Sequence, residues 1–263
     1  GVGSWPYYPD SGLILYNVKN GKIENNNASG NTNGIVLSSL SNNNIITNNN
    51  AFGNSQYGIY LYWSSNNNIT NNNVSGNSQY GIYLSSSSNN IITYNRITDN
   101  TNYGVVITSS STGNRIHHNN FINNNGSGKQ GYDDVGGNYW NDTSEGNYWS
   151  DWTKPDSNND GIVDNPYILD GGSGALDNYP LTNQPHAPIR INSNADFTPA
   201  NGVSAGSGTQ LDPYIIEGWD INGTGYGYAL YIGNTTAYFI VRNNWLHNAS
   251  GVGIWPYYPD SGL

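Results

Sequence analysis

Cysteine and methionine are absent from the 263-residue sequence, and basic residues are scarce. Without cysteine the chain has no disulfide framework, no thiolate nucleophile and no thiolate zinc site. Eight residues are Lys or Arg and 18 are Asp or Glu, which gives a formal net charge of −10. Because a phosphate-binding surface needs clustered basic side chains, we expect no nucleic-acid partner. No apolar run approaches the ~18 residues that a membrane-spanning helix needs, so we expect no membrane span.

Asparagine, glycine and tyrosine dominate the composition, with 48 Asn, 33 Gly and 22 Tyr. Charged residues make up only 10% of the chain and aromatic residues 13%. Disordered chains lack aromatic and β-branched residues, so this composition favours a folded protein.

A 23-residue repeat runs through the first half of the chain. Apolar residues align at steps of 23, 23, 23 and 24, at Ile23, Ile46, Ile69, Ile92 and Ile116. An asparagine follows each of them three residues later, at Asn26, Asn49, Asn72, Asn95 and Asn119. A segment near the end of the chain fits the same template and places Ile240 and Asn243 in the two columns.

This repeat predicts an all-β fold, a parallel β-helix with coils of about 23 residues. The unit is too short for a helix-containing repeat, and the signature of a leucine-rich repeat is missing. Stacked coils bring like residues together, so inward Ile, Leu and Val form one core and identical Asn side chains form a hydrogen-bonded ladder. We expect coils over residues 12–130 and an irregular Trp/Tyr-rich cap over residues 131–185.

A second repeat has a period of 250 residues, since residues 1–13 recur as residues 251–263 with one difference, Ser4 against Ile254. We interpret the chain as a window on tandem domains. Residues 1–185 would be the C-terminal greater part of one domain and residues 186–263 the N-terminal part of the next. The alternative is a duplicated loop in a single permuted domain.

The repeated segment contains an aromatic loop that recurs once per domain. Trp and Tyr rings serve as interface anchors or stack on sugars, so we predict a contact loop. Its residues are Trp5, Tyr7, Tyr8, Trp255, Tyr257 and Tyr258. The alternative is a loop folded onto its own coil.

Several motifs resemble the NosD-type (CASH) β-helix repeat family. They are the coils beginning Gly58-Ile-Tyr-Leu and Gly81-Ile-Tyr-Leu, the motif Gly146-Asn-Tyr-Trp-Ser-Asp151 and the segment Asn178-Tyr-Pro-Leu181. The segment Asp212-Pro-Tyr-Ile-Ile-Glu-Gly-Trp looks like the start of archaeal secreted or surface proteins of this family. The resemblance implies a right-handed β-helix, export and a surface role. It leaves the activity open, because the family mixes lyase-like, hydrolase-like, carbohydrate-binding and structural members.

One loop matches the first three quarters of a calcium-binding loop. Its predicted ligands are Asp156, Asn158, Asp160, the carbonyl of Ile162 and Asp164. The twelfth position is Tyr167 and not the usual Glu, so Asp151 or Asp170 would have to complete the shell. We predict a structural Ca²⁺ ion that pins the cap, and the alternative is a polar turn without metal.

Charged residues and histidines occur singly, at aligned repeat positions that uncharged residues occupy in most of the other coils. A lyase or hydrolase needs acids, or a base with Arg, that converge on one face. The candidates are Glu24, Arg96, Asp99, Arg115 and His117, and we expect them to stay apart as solubilising charges. His117 and His118 are adjacent on a predicted strand, so we expect their side chains on opposite faces, where they cannot bind one ion together.

Eight Asn-x-Ser/Thr sequons occur in this Asn-rich chain. Asn68, Asn125 and Asn234 are the most credible N-glycan acceptors, because they are predicted on turns. Asn73, Asn141 and Asn222 are further possible acceptors.

These observations favour an extracellular structural protein whose tandem domains build a filament, stalk or surface layer. Its partners would be copies of itself, neighbouring domains or surface glycans. The alternative is a carbohydrate-binding module or a β-helix polysaccharide lyase or hydrolase.

Overall fold

A computed structural model describes residues 10–126, 128–152 and 155–249. These residues divide into two compact units on either side of the Pro185–His186 peptide. The division falls at the boundary expected from the sequence, and the tandem repeat itself stays a prediction. The contact-loop residues of both copies lie outside the described residues.

The first unit is a parallel β-helix with three sheets, and each of its four complete coils contributes one strand to each sheet. Sheet 1 consists of Ser11–Tyr16, Asn33–Ser38, Tyr57–Tyr62, Ile82–Ser85, Val105–Thr108 and Gly131–Asp133. Sheet 2 consists of Lys22–Glu24, Ile45–Thr47, Asn68–Thr70, Ile91–Thr93 and Arg115–His117. Sheet 3 consists of Asn50–Phe52, Asn73–Ser75, Arg96–Thr98, Asn120–Ile122 and Tyr148–Trp149.

The strand register confirms the predicted parallel β-helix. In sheet 2, Ile23 pairs with Ile46, and the same register continues through Ile69 and Ile92 to Ile116. The side chains of this isoleucine column point into one core, and all are buried. The winding continues past residue 130, where the cap was expected to begin, because Gly131–Asp133 and Tyr148–Trp149 add parallel strands to sheets 1 and 3.

Tight corners explain much of the Asn and Gly content. The residue after each strand of sheet 2 has a left-handed backbone, with φ between 54° and 58° at Asn25, Asn48, Asn71, Tyr94 and His118. Gly53 occupies the matching position after sheet 3, with φ 61°. Asn and Gly adopt this conformation more readily than other residues, so most of these corners carry one of them, and Tyr94 and His118 are the exceptions in sheet 2.

Three columns of amide side chains run along the corners. In each, the side-chain oxygen of one residue accepts the backbone N–H, and usually the side-chain N–H, of the preceding member of the column. Successive members are about one coil apart, except Asn124 and Gln130, which are six residues apart. The first column is Asn26, Asn49, Asn72, Asn95, Asn119 and Asn147. The second is Asn31, Asn54, Asn77, Asn100, Asn124 and Gln130. The third is Asn44, Asn67, Asn90, Asn114 and Asn138.

Aromatic rings close the C-terminal end of the core. Trp149 stacks on Phe121 with ring centroids 4.1 Å apart, and Tyr167 stacks on the other face of Trp149 at 4.0 Å. Trp140 packs against the same stack. Because all four are buried, the apolar interior is covered at this end by the unit's own cap. The cap also holds the antiparallel pair Tyr167–Ile168 and Leu176–Asp177 and the short strand Gln184–Pro185.

The second unit has its own small core and the only helical turns among the described residues. The 3₁₀ turns are Asn194–Asp196 and Pro199–Asn201. Its strands are Ile189–Ile191, Val203–Ala205, Tyr214–Glu217, Trp219–Asn222, Leu230–Ile232, Phe239–Arg242 and Trp245–His247. Three pairs of these strands are parallel, and their paired residues are 25 or 41 positions apart in the sequence. Across the described ranges, no helix has the length and apolar character needed to cross a membrane.

The predicted place of Asn243 in the asparagine column is wrong by one residue. Asn244 holds that place, since its Oδ1 accepts the N–H of Trp219 at 3.0 Å. Asn243 is the corner residue before it, with φ 55°. Consequently Val241, and not Ile240, pairs with the buried Ile216. Here the corresponding residues of two coils are 25 positions apart, so a count in steps of 23 cannot decide which of two adjacent asparagines belongs to the column.

Candidate functional site

Two histidines, His117 and His118, lie at the last corner of sheet 2, which we call the histidine corner. His117 ends the strand Arg115–His117, and His118 takes the left-handed corner conformation with φ 56°. The expectation that the two side chains face opposite sides is therefore wrong, because strand alternation ends at His117. The Nδ1 atoms of the two rings are 2.6 Å apart.

A loop of the cap brings two carboxyl groups to this corner. The step from Asn119 to Asn147 is 28 residues, four more than the 24 from Asn95 to Asn119. The longer step accommodates the loop 141–145. One carboxylate oxygen of Asp142 lies with the two imidazoles in a group whose ligand atoms are all within 4.8 Å of one another.

Glu145 contacts the other ring nitrogen of His118. Its Oε2 lies 2.6 Å from Nε2 of His118, and both side chains are less than a tenth exposed. Tyr94 stacks on the ring of His118 with centroids 5.1 Å apart. Burial, followed by the nearby His118, lowers the pKa of His117 to about 4. His117 is therefore a neutral imidazole at neutral pH.

The predicted calcium loop folds into a tight turn around Asp156. Its carboxylate accepts the backbone N–H groups of Asp160 and Gly161 at 3.1 and 2.9 Å. Asn158 donates to Asp160 Oδ2, and Asp164 accepts from Ser157. The two residues expected to complete the shell bind elsewhere, since Asp151 accepts from Gln130 and Tyr167 and Asp170 accepts from Tyr103.

A row of tyrosine rings covers part of the outer side of sheet 1, and we call it the tyrosine face. Tyr60 and Tyr83 stack with centroids 5.0 Å apart and planes 8° apart. Tyr57 and Tyr80 stack in the same way at 5.5 Å. The face consists of Tyr57, Tyr60, Tyr80, Tyr83, Tyr103 and Tyr132, all of them half-buried.

The five candidate acid and base residues do not meet in one site. Glu24 pairs with Lys22 at 2.7 Å. Asp99 accepts a hydrogen bond from Asn123, and the guanidinium of Arg115 lies over the ring of Tyr139. Arg96 belongs to sheet 3, whereas Glu24, Arg115 and His117 belong to sheet 2.

The possible glycan acceptors differ in how accessible their Nδ2 atoms are. Asn234 is exposed, and its Nδ2 donates to Asn192. The other five are half-buried. The Nδ2 atoms of Asn73, Asn125 and Asn141 donate to other groups, Asn222 accepts from Thr224, and Asn68 has a buried Oδ1 without a partner.

Sequence reasoning missed the residues that complete the histidine corner and the third amide column. The Gly-Asn-Tyr-Trp segment occurs twice, at Gly137–Trp140 and Gly146–Trp149. The asparagine of each copy is the last member of an amide column. The duplicated motif was therefore the signal for two column ends, and the five residues between the copies contain both carboxyl groups of the corner.

Comparison with known proteins gives a family match over more than half of the chain. A family model described as periplasmic copper-binding protein (NosD) matches residues 5–171. No curated protein matches.

Among solved structures, two mutant forms of the periplasmic alginate epimerase AlgG are similar. One is 33% identical over 36% of this chain and 23% of its own, with a TM-score of 0.36. The other is 17% identical over 90% of this chain and 47% of its own, with a TM-score of 0.43. The chain thus spans less than half the length of either epimerase.

Proposed function

The chain belongs to the NosD family of β-helix proteins, and on that premise we propose that it is an extracellular structural protein, a module of a tandem array that builds a filament, stalk or surface layer. The partners in this proposal are neighbouring domains of the same polypeptide or further copies of it.

The continuous amide columns are the observation that carries the proposal. Each column links five or six coils through buried hydrogen bonds, so a local opening would break bonds in the coils above and below it. Stacks of identical side chains of this kind give cross-β assemblies their high stability. The absence of Cys and Met removes the side chains most easily oxidised outside the cell.

Electron microscopy of native material tests this proposal. We expect long thin threads or a lattice with a regular axial repeat, because the 250-residue sequence period sets one domain length. Dispersed single particles that bind or cleave a polysaccharide would overturn it.

Carbohydrate binding is the second candidate function, and the tyrosine face favours it. Because the rings stack on one another about one coil apart, they offer a partly apolar row of ring edges and hydroxyl groups to a polysaccharide. Titration of the chain with a neutral β-glucan and with a polyuronate tests this function, and Tyr83→Ala should weaken binding. Tyr179→Ala, which alters a tyrosine outside this face, is the matched control.

Ions and glycans complete the proposal. We propose a structural Ca²⁺ at the loop of Asp156, Asn158 and Asp160, and an N-linked glycan at the exposed Asn234.

The family description names copper. The residues fit Cu²⁺ at the histidine corner, where imidazole and carboxylate donors meet, and they do not fit Cu⁺, which prefers thiolate and thioether ligands.

A further inference from the structure

We infer that His117, His118 and Asp142 bind one divalent transition-metal ion of the Cu²⁺ or Zn²⁺ type, and that this ion ties the cap loop 141–145 to the last corner of the coil. This inference deepens the metal binding proposed above and rests on it. It adds the three named ligands, Zn²⁺ as an alternative to Cu²⁺, and the effect of the ion on the loop 141–145.

The donor set fixes the class of ion. Two imidazole nitrogens and one carboxylate oxygen suit Zn²⁺, Ni²⁺ and Cu²⁺, whereas Ca²⁺ and Mg²⁺ require shells made almost wholly of oxygen. A water molecule would supply the fourth ligand, as it does at zinc sites with three protein ligands. The positive charge of a divalent ion would offset the two carboxylates, Asp142 and Glu145, that approach the corner.

The geometry is close to that of a bound site. Two nitrogen ligands at ~2.0–2.1 Å from one ion lie about 2.9–3.4 Å apart when the angle between them is 90–109°. The Nδ1 atoms of His117 and His118 are 2.6 Å apart. An ion would therefore replace this direct contact and move the two nitrogens apart by about 0.3–0.8 Å.

Glu145 acts as a positioning residue for His118. A buried carboxylate 2.6 Å from Nε2 holds the proton on that nitrogen, so the lone pair is on Nδ1, which faces His117. Histidine ligands usually donate their second N–H to a carboxylate in this way, and loss of that partner costs 10- to 100-fold in metal affinity.

The Asp142 carboxylate is oriented before any ion binds. Its Oδ1 accepts the backbone N–H groups of Ser144 and Glu145, both at 2.8 Å. The loop is joined to the corner at its end, where the N–H of His118 donates to the carbonyl of Gly146. Glu145 contacts His118 at the same end, and an ion on Asp142 would attach the start of the loop as well.

Metal titration of the full chain tests the ligand set. The chain is stripped with a chelator, saturated with Ca²⁺ and titrated calorimetrically with Cu²⁺ and, separately, with Zn²⁺. We expect one ion per chain, bound with micromolar or tighter affinity, and Cu²⁺ electron paramagnetic resonance that shows nitrogen coupling. His117→Gln and Asp142→Asn should each lower the affinity at least tenfold, whereas His247→Gln and Asp99→Asn should leave it unchanged.

The outcomes separate the inference from the proposal on which it rests. Binding that survives both ligand substitutions would overturn this site and leave metal binding by the chain intact. The absence of any binding would overturn both. Circular dichroism of the metal-free variants checks that their fold is retained.

Two further measurements test the positioning residue and the attachment of the loop. Glu145→Gln should lower Cu²⁺ affinity and shift the resonance parameters, because it changes the basicity of His118. Hydrogen exchange of a peptide covering residues 139–149 should slow when the ion binds. Binding without slower exchange would overturn the attachment of the loop, and unchanged resonance parameters would overturn the role of Glu145.

Discussion

Asn147 donates its backbone N–H to Oδ2 of Asp177 at 2.7 Å, and this contact ends the first amide column. Every asparagine in the column gives its N–H groups to the next coil, so the last one needs an acceptor that lies outside the repeat. The second column ends in the same manner, where Gln130 donates to Asp151, and the third where Asn138 donates to Asp133. A carboxyl group thus closes each of the three columns.

Removal of an amide from the middle of a column should destabilise the protein more than removal at its exposed end. Asn72→Ala leaves the buried backbone N–H of Asn49 without its acceptor and removes one of three acceptors of the Asn49 side-chain amide. We expect a loss of about 2–4 kcal/mol in the free energy of unfolding. Asn26→Ala, at the exposed start of the same column, should cost less than about 1 kcal/mol. Urea denaturation measures both, and equal losses would contradict the importance of the buried ladder.

The buried Asp177 should make stability depend on pH. Burial raises its pKa to about 7, although hydrogen bonds from Trp149, Asn147 and Tyr179 act in the opposite direction. Because the folded pKa lies above the ordinary value of 3.8, the stabilisation from protonated Asp177 is fully present below about pH 4 and is lost as pH rises through about 7. The free energy of unfolding should therefore fall over this window relative to Asp177→Asn. A difference that grows with pH would show that the hydrogen bonds prevail.

Gly146 should not tolerate a side chain. A Cβ atom added there would overlap the carboxyl group of Asp177, which is buried and held by several donors. We expect Gly146→Ala to cost at least about 3 kcal/mol in the free energy of unfolding, because it displaces the residue that closes the first column. Gly172→Ala is the control, since nothing lies within 4 Å of its added Cβ. Thermal denaturation compares the two, and a neutral Gly146→Ala would contradict the tight packing described here.

Removal of calcium should lower the thermal stability of the cap. The loop around Asp156 is turned by hydrogen bonds to its own backbone, and a bound Ca²⁺ would hold it further. We expect a calcium-selective chelator to lower the melting temperature and added Ca²⁺ to restore it. Asp160→Asn should abolish this response, whereas Asp99→Asn should retain it. Identical melting curves with and without chelator would contradict the calcium site.

Much of the fold could be predicted because the coils stack directly on one another. Residues that are one repeat period apart in the sequence therefore pair in the sheets. The alignment of Ile23 with Ile46, and of Asn26 with Asn49, is the same in the sequence and in the sheets. The prediction for Asn243 failed where the step changed to 25 residues, since a period locates a column only while it is constant. The third amide column, which begins at Asn44, is equally periodic in the sequence, but the many other asparagines make it hard to distinguish there.

The histidine corner could not be predicted from local pattern. Alternation along a strand separates adjacent side chains, and only the left-handed backbone at His118 brings its ring to that of His117. Sequence spacing also gave no reason to place Asp142 and Glu145 there, because a loop outside the repeat brings them to the corner.

The sequence by itself determined the parallel β-helix, its coil length and its inward columns, because identical residues at a fixed period can satisfy one another only when coils stack. Tertiary structure alone decided where the columns end and which polar groups meet at the last corner. At those places the repeat stops, so the partners of each buried group come from the cap and are set by packing in three dimensions.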